Sequence, residues 1–321
     1  MKFPLPDQEL RIGILGMTEG NGHPYSWSAM FNGYDKEEME SCGFPVIPRY
    51  LEKQPPETLS IPGARITSIC CTGYAGREEA EHIARATYIP TVYDTPEEMI
   101  GQVDAVIVAT DDGNEHIERC RPFVEAGIPM FIDKPLVNTE QDLRTFVRWR
   151  REGAKFISSS CMRYAKEYEP FYKNHYELGE LFYVCSTMAK KYENYGIHAL
   201  EAMYPLLGKG FVSVRNTGTY ERPVVHIKHK SGCNVNIIQG IGMTGMGMIV
   251  LGAHGARNLT VGDSYYAFKK QLDLFVHWLR TGEEPFPFEE TVELMKLVIG
   301  GLRSREQDGK EIFLDDIRVD E

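Results

Sequence analysis

A lysine follows a short apolar segment in the first half of the chain. Residues 128–135 read IPMFIDKP, so Asp133 and Lys134 come directly after a predicted buried strand. At the carboxyl end of a strand in a parallel sheet, this lysine would place an ammonium group at the edge where ligands bind. The alternative interpretation is an ordinary loop lysine, with Pro135 ending the strand.

A glycine-rich segment follows the first predicted strand. Residues 13–27 read GILGMTEGNGHPYSW, and their spacing departs from the G-x-G-x-x-G pattern of dinucleotide-binding loops. A nucleotide site needs a tight turn, free backbone N–H groups and a helix N-terminus that faces the phosphates. We predict a rebuilt loop, longer than usual, followed by a helix that Ser26 caps. The alternative is a glycine-rich surface turn. The predicted cofactor-binding residues of the loop are Gly16, Thr18, Gly20, Asn21 and Gly22.

The elements that would position these residues alternate between strands and helices. Apolar strands are predicted at 11–16, 65–71, 103–110 and 128–135, and helical patterns separate them. This alternation indicates a parallel sheet that is covered on both faces. One further helix follows, with Thr139 as its predicted cap.

The pattern changes after about residue 155. Short strands, beginning with FISSSCMRY at 156–164, follow one another through short turns, and two helices close the chain. We therefore predict an α/β protein with a Rossmann-type doubly wound parallel sheet in residues 1–136. Residues 137–321 are predicted to form an α+β domain with a largely antiparallel open sheet.

Composition excludes several classes of function. The chain has 321 residues and a net charge of −11, which argues against nonspecific binding to nucleic acid. It has no apolar window long enough to span a membrane and no signal-peptide pattern at its start. The seven cysteines include no C-x-x-C pair, so we expect a reduced, cytoplasmic protein. His226 and His229 have no third ligand nearby, so no metal site is predicted.

Residues 103–135, VDAVIVATDDGNEHIERCRPFVEAGIPMFIDKP, resemble the Gfo/Idh/MocA family of sugar and inositol oxidoreductases. In that family an apolar strand ends in A-T-P, a histidine follows, and A-G-x-x-V and E-K-P come later. His116 precedes Lys134 by 18 residues, which matches the family's spacing. Asp133 replaces the usual Glu, and Asp111 replaces the usual Pro. The closing segments GAHGARNLTV, LFVHWLRTGEEPFP and GKEIFL are also similar to the family's elements.

The resemblance implies hydride transfer between a nicotinamide cofactor and a secondary alcohol or ketone of a sugar, inositol or sugar derivative. It implies that Lys134 stabilises the negative charge that develops on the substrate oxygen. The family's D-x-x-x-H pattern falls on Asn194 and His198, one helical turn apart, and His198 becomes the candidate base. Because Asn194 replaces the aspartate, a different acid such as Tyr195 or Tyr192 is an alternative.

Further residues are assigned from their positions after predicted strands. Arg163 and Tyr164 are predicted to line the substrate cleft, together with Tyr192 and Tyr195. At the end of the second strand stand Thr72 and, within reach, Arg77, where NAD-specific sites usually carry an acid. A hydroxyl and an arginine suit a 2′-phosphate, so NADP is slightly favoured over NAD. The remaining predicted cofactor-binding residues are Thr110, Asp111, His116 and Asp133.

Two other functions fit the same fold. One is a glycosidase that oxidises its substrate transiently with bound nicotinamide, and the other is a non-catalytic cofactor- or sugar-sensing regulatory protein. The substitution at Asn194 and the altered glycine loop favour the regulatory alternative, whereas the pair Lys134 and His198 opposes it. We also expect a homo-oligomer, a dimer or tetramer, if one face of the second sheet is exposed.

Overall fold

A computed structural model describes residues 3–319 of the chain. The chain forms two compact units, each made of three segments. The first unit contains the residues up to Asp133, together with Arg148–Ser158 and Phe268–Phe286. The second contains Lys134–Val147, Ser159–Ala267 and the residues from Pro287 onward. Along the sequence, segments of the two units therefore alternate.

The first unit contains a six-stranded parallel sheet with the order β3-β2-β1-β4-β5-β6. Its central strands are runs of buried apolar residues, as expected for a sheet covered on both faces. The strands are β1 Leu10–Gly16, β2 Ala64–Cys71, β3 Thr91–Val92, β4 Ala105–Val108, β5 Met130–Ile132 and β6 Phe156–Ser158. The helices of this unit are α1 His23–Asn32, α2 Lys36–Glu40, α3 Val46–Leu51, α4 Arg77–Ala86 and α5 His116–Glu125, and α6 Glu140–Arg151 is divided between the two units.

The second unit contains a seven-stranded sheet with the order β12-β11-β7-β10-β9-β8-β13. Only the pair β7 and β10 is parallel, so the sheet is mostly antiparallel. Its strands are β7 Leu181–Ala189, β8 Phe211–Asn216, β9 Val224–His229, β10 Asn234–Gly240, β11 Gly247–Gly252, β12 Gly255–Thr260 and β13 Ile312–Phe313. The helices of this unit are α7 Glu169–Lys173, α8 Tyr192–Leu207 and α10 Phe288–Glu306, whereas most of α9 Ser264–Thr281 belongs to the first unit.

The predicted fold class is confirmed, and two local predictions are wrong. The segment FISSSCMRY does not begin the second sheet, because β6 pairs in parallel with β5 and a 3₁₀ turn at Cys161–Tyr164 follows. Ser26 does not cap α1, which already begins at His23. Instead, the buried Ser26 hydroxyl accepts a hydrogen bond from Tyr50. Thr139 does cap α6, since its Oγ1 accepts from the N–H of Asp142 at 3.1 Å.

Two general features agree with the composition. The seven cysteines are free thiols, and burial raises the pKa of Cys70 to about 11 and that of Cys71 to about 12. These thiols therefore behave as core residues. Among the helices that the structure describes, none is both long and apolar enough to cross a membrane.

Candidate active site

The loop that follows β1 is joined to the residues that follow β4. The chain places β2 and β3 on one side of β1 and β4 to β6 on its other side. Ligands of such sheets bind in the crevice between the two strands where the side changes, here β1 and β4. The Thr18 hydroxyl donates to the Asp111 carboxylate, and the Asp111 N–H donates back to Thr18 Oγ1 at 3.3 Å. Two predicted cofactor-binding residues therefore lie together at the carboxyl edge of the sheet.

A second set of bonds joins the same loop to the end of β5. Asp133 is buried, and its Oδ2 accepts from Asn21 Nδ2 at 3.3 Å and lies 2.5 Å from His23 Nδ1. The His23 ring stacks on Trp27 with a centroid distance of 4.3 Å. The aromatic residues of the loop thus pack against one another and fix the histidine over Asp133.

The start of α1 offers few N–H groups to a phosphate. The N–H of His23 donates to Asn21 Oδ1 at 2.9 Å, and Pro24 has no N–H. Within the loop itself, the Asn21 N–H donates to Thr18 O, whereas no bond to protein is recorded for the N–H groups of Glu19, Gly20 or Gly22. An anion would therefore be bound by the turn rather than by the helix end.

The glycines of this turn have different roles. Gly20 has φ of +75°, which a residue with a side chain adopts only rarely. At Gly22, an added Cβ would lie 2.6 Å from Ile47 and 2.8 Å from Phe44, so this glycine permits packing against α3. Gly20 therefore allows the backbone conformation of the turn, and Gly22 allows the close packing of the core beneath it.

The end of β4 carries a buried hydroxyl that has no protein partner. Thr110 Oγ1 makes no hydrogen bond, although the residue is fully buried. Leaving a buried hydroxyl unpaired costs about 1–3 kcal/mol, so the position suits a polar ligand atom. His116, also buried, has its Nε2 2.8 Å from the carbonyl oxygen of Thr110 and so holds the loop after β4 in place. The residues at this edge fit a dinucleotide.

An arginine that the sequence did not indicate lies at the end of β2. Arg119 of α5 donates to Thr72 Oγ1 at 2.9 Å and to Glu115 at 2.7 Å. The predicted partner, Arg77, is exposed and donates to Asp94 at 2.6 Å and to Glu81 at 2.8 Å. Arg119, and not Arg77, is therefore the arginine in contact with Thr72.

Lys134 begins the second unit and is buried, with an exposed fraction of 2%. Its Nζ lies 4.6 Å from the centre of the Tyr195 ring, which is a cation–π distance. A second lysine, Lys190, donates to the Tyr195 hydroxyl at 2.7 Å. Two ammonium groups thus surround one phenol on the first turns of α8.

His198 lies on the same side of α8 as Tyr195, and their ring centroids are 4.7 Å apart. The Nδ1 of His198 lies 2.6 Å from the buried Ser160 hydroxyl. Asn194, one turn earlier, has a buried Oδ1 without a hydrogen-bond partner. The structure therefore brings Lys134, Tyr195 and His198 together, and Asn194 presents an acceptor that a ligand hydroxyl could satisfy.

Three predicted substrate-binding residues are held in the protein interior. Arg163 forms a buried ion pair with Glu201 and donates to Glu290 at 2.6 Å. Burial lowers the pKa of Arg163, but the neighbouring carboxylates more than offset this and leave the pKa above its usual value. Tyr192 donates to the carbonyl oxygen of Leu297 at 3.0 Å, and Tyr164 donates to Ser159 at 3.4 Å. Their polar groups are thus used to stabilise the fold.

A family match agrees with this arrangement. Residues 53–159 match the model of an oxidoreductase family with an NAD-binding Rossmann fold, GFO_IDH_MocA. This stretch of the chain is therefore similar to the Gfo/Idh/MocA oxidoreductase family. No curated protein sequence matches the chain.

Solved structures share the fold of this chain over nearly its whole length. Myo-inositol 2-dehydrogenase from Lactobacillus plantarum aligns with a TM-score of 0.75 at 15% identity, covering 95% of this chain and 99% of that one. Scyllo-inositol dehydrogenase from Lactobacillus casei, solved with NAD(H) and scyllo-inositol, aligns with a TM-score of 0.74 at 12% identity, covering 96% and 100%. Myo-inositol dehydrogenase from Corynebacterium glutamicum gives 0.71 at 16%, covering 95% and 98%. At these identities the likeness shows the fold.

Proposed function

We propose that the chain is an NAD(P)-dependent oxidoreductase that acts on a secondary alcohol or ketone of a polyol, inositol, sugar or sugar derivative. The observation that carries the proposal is the buried Lys134 ammonium beside Tyr195, on the helix turn that also bears His198. Burying a lysine is costly, so a buried lysine beside a histidine and a phenol indicates a chemical role.

Each residue of this cluster has a distinct task in the proposed reaction. When bound, the nicotinamide supplies an acceptor or donor for the hydride at the carbinol carbon. The Lys134 ammonium stabilises the negative charge that develops on the substrate oxygen, and His198 hydrogen-bonds the same oxygen. The unpaired Asn194 Oδ1 accepts from a neighbouring hydroxyl of the substrate. A polyol fits this set because it offers several hydroxyls that can both donate and accept.

The cofactor is proposed to occupy the carboxyl edge of the parallel sheet. The turn around Gly20 supplies N–H groups for the phosphates, and the loop containing Thr110 and Asp111 lies beside it. A preference for NADP is supported by Thr72, which no carboxylate flanks in the sequence, and by the Arg119 guanidinium that contacts it. Arg77 remains a second predicted contact, although Asp94 and Glu81 compete for it.

The first test is a titration of the protein with NADPH and NADH, followed by cofactor fluorescence. We expect saturable binding of both, with tighter binding of NADPH. A screen of inositols, sugars and sugar acids for oxidised-cofactor reduction then identifies the substrate class. Saturable binding of neither cofactor would overturn the proposal and favour a regulatory protein. Cleavage of a glycoside without net cofactor reduction would instead favour a glycosidase.

A homo-oligomer is proposed through the open face of the second sheet. This face has a strip of exposed apolar side chains in adjacent strands, which we call the outer strip: Tyr183, Val224, Ile238, Ile249 and Leu251. In the strand register, Leu251 is opposite Tyr183 and Ile238 is opposite Val224. The strip consists of these two apolar pairs and Ile249, with the polar residues Asn234 and Asn236 between the pairs, and exposed apolar groups of this kind occur at protein interfaces. In a two-fold symmetric dimer, the outer strip of a second copy of the chain packs against the outer strip of the first.

A further inference from the structure

Lys190 has an unusual backbone conformation that a buried side chain holds in place. The residue lies between β7 and α8 and has φ of +61°, which residues with a side chain adopt only rarely. The side-chain amide of Gln239, on the neighbouring strand β10, donates to the carbonyl oxygens of Ala189 at 2.9 Å and of Lys191 at 2.8 Å. Gln239 is 2% exposed, so both bonds are shielded from water. The backbone on either side of Lys190 is therefore fixed by the sheet.

The backbone conformation does not explain why this residue is a lysine. Glycine adopts positive φ at little cost, whereas a lysine there is strained. Strained residues of this kind concentrate at binding and catalytic sites. Here the Lys190 ammonium donates to the Tyr195 hydroxyl at 2.7 Å and lies 4.4 Å from the centre of the Tyr195 ring. The conformation therefore places a second cation at the phenol that also contacts Lys134.

The protein does not neutralise the charge of Lys190. Its side chain is exposed, and no carboxylate pairs with it among the residues that the structure describes. Glu193, the acidic residue in the first turn of α8, forms an ion pair with Arg305 instead. The neutral Asn194 stands where the family's pattern has an aspartate. One of the three ammonium N–H groups of Lys190 donates to a phenol, so two are left for a ligand.

We propose that the substrate is a sugar acid, whose carboxylate binds Lys190 while its reacting hydroxyl lies at Lys134. The assignment rests on the proposed function and names its substrate class. A carboxylate forms stronger hydrogen bonds with an ammonium than a neutral hydroxyl does. The two ammonium groups lie 4.6 and 4.4 Å from the centre of one ring, so a molecule of hexose size can contact both. Gln239 is a positioning residue, because it holds the backbone that carries Lys190.

The deciding experiment measures kcat/KM for pairs of an acid and its neutral counterpart. The pairs are D-glucuronate with D-glucose, D-galacturonate with D-galactose, and D-gluconate with D-glucitol. We expect wild type to prefer the acid of at least one pair by about 10-fold or more. Lys190→Gln is expected to lower kcat/KM for that acid by about 10- to 100-fold, the usual value of a charged hydrogen bond, and to affect the neutral compound by only a few fold.

A matched control separates this contact from the overall charge of the protein. Lys191→Gln removes the same charge from the next residue, whose ammonium lies 5.4 Å from the centre of the Tyr220 ring, and should keep the preference for the acid. Equal losses for the acid and the neutral compound in Lys190→Gln would overturn the proposal. A wild-type preference for the neutral member of every pair would also overturn it.

Two further variants test charge and position separately. Asn194→Asp adds a carboxylate to the first turn of α8, so kcat/KM is expected to fall more for the acid than for the neutral compound. Gln239→Met leaves the charge of Lys190 in place but removes both bonds to the neighbouring carbonyl oxygens. It is expected to raise KM for the acid more than it lowers kcat. A selective gain for the acid in Asn194→Asp would contradict the proposal.

Binding measurements test the sugar-acid site independently of turnover. Wild type and Lys190→Gln are titrated calorimetrically with the same three acids, with and without cofactor. Saturable binding of an acid that Lys190→Gln weakens, without any turnover, would support the carboxylate site and overturn the proposed oxidoreductase. Turnover of neutral polyols with no binding of any acid would support the oxidoreductase and overturn the sugar-acid assignment. Circular dichroism verifies that each variant is folded.

Discussion

The Nδ1 of His23 lies 2.5 Å from the Oδ2 of Asp133, the residue directly before Lys134. This contact fastens the loop after β1 to the end of β5. Asn21 adds a second bond to the same carboxylate oxygen at 3.3 Å. The turn that is proposed to bind the cofactor phosphates is therefore held by a buried carboxylate next to the candidate catalytic lysine.

Replacing His23 by Phe tests this fastening. Phenylalanine keeps the stacking on Trp27 but removes the ring nitrogen, so Asp133 loses a partner inside the protein. We expect the free energy of unfolding to fall by about 1–3 kcal/mol and cofactor affinity to decrease. Chemical denaturation and fluorescence titration measure the two effects. Glu19→Gln, an exposed change in the same loop, is the control, and equal behaviour of the two variants would refute the fastening.

Lys134→Met tests the proposed charge stabilisation. Methionine preserves much of the apolar stem, while it removes the ammonium group above Tyr195. We expect kcat to fall by about 100-fold or more, comparable to the loss of an oxyanion donor, with cofactor affinity within a few fold. Steady-state kinetics and cofactor titration provide the measurements. The exposed Lys155→Met serves as the control, and undiminished turnover in Lys134→Met would remove this lysine from the mechanism.

The different contacts of Arg119 and Arg77 predict different effects of their substitution on binding of the adenosine end of the cofactor. Arg119 contacts Thr72, whereas Arg77 is exposed and paired with Asp94 and Glu81. We expect Arg119→Met to weaken NADPH binding by about 10- to 100-fold, the usual value of a charged hydrogen bond, and to affect NADH less. Arg77→Met is expected to change either affinity by only a few fold. A larger NADPH effect at Arg77 would restore the assignment made from the sequence.

The sequence was sufficient to predict those elements that depend only on residues close to one another in the chain. The apolar run at Ala105–Val108 and the Thr139 cap of α6 are signals within a few residues, and both predictions are confirmed. The strand Phe156–Ser158 was also predicted from the sequence, but the strand with which it pairs was not. Which sheet a three-residue strand joins depends on pairing with β5, more than twenty residues away, and no local pattern encodes that choice.

The supporting residues of the site were harder to find, because their roles depend on contacts distant in sequence. Arg119 and Thr72 are 47 positions apart, and Ser160 and His198 are 38 apart. Lys190 alone carried a usable signal, since it lies two residues before the helix that contains the family's histidine position. Arg163 remains a predicted substrate contact, but its ion pair with the buried Glu201 also depends on residues distant in sequence.

The buried ion pair of Arg163 and Glu201 gives a prediction about stability. Arg163→Met leaves the carboxylate of Glu201 buried without its cation, so we expect a loss of about 3–5 kcal/mol in the free energy of unfolding. The double variant Arg163→Met with Glu201→Leu is expected to recover much of this loss. Lys166→Met, which breaks an exposed pair with Asp263, is the control and should leave the free energy of unfolding nearly unchanged. If Arg163→Met retained full stability and raised only KM, a direct role in substrate binding would be supported.

The outer strip predicts how the oligomer can be disrupted. Ile249 is 41% exposed and opposite Cys185 in the sheet, so Ile249→Glu places a charge within the strip without entering the core. Burying an unpaired carboxylate between two copies is unfavourable, and a stable interface needs about 800 Å² from each partner. We expect light scattering to show a dimer or tetramer for the wild type and a smaller species for Ile249→Glu, with unchanged secondary structure. Val46→Glu, at an apolar residue of the first unit that is 63% exposed, is expected to keep the wild-type mass. A wild-type monomer, or an Ile249→Glu variant of wild-type mass, would show that the strip does not join copies of the chain.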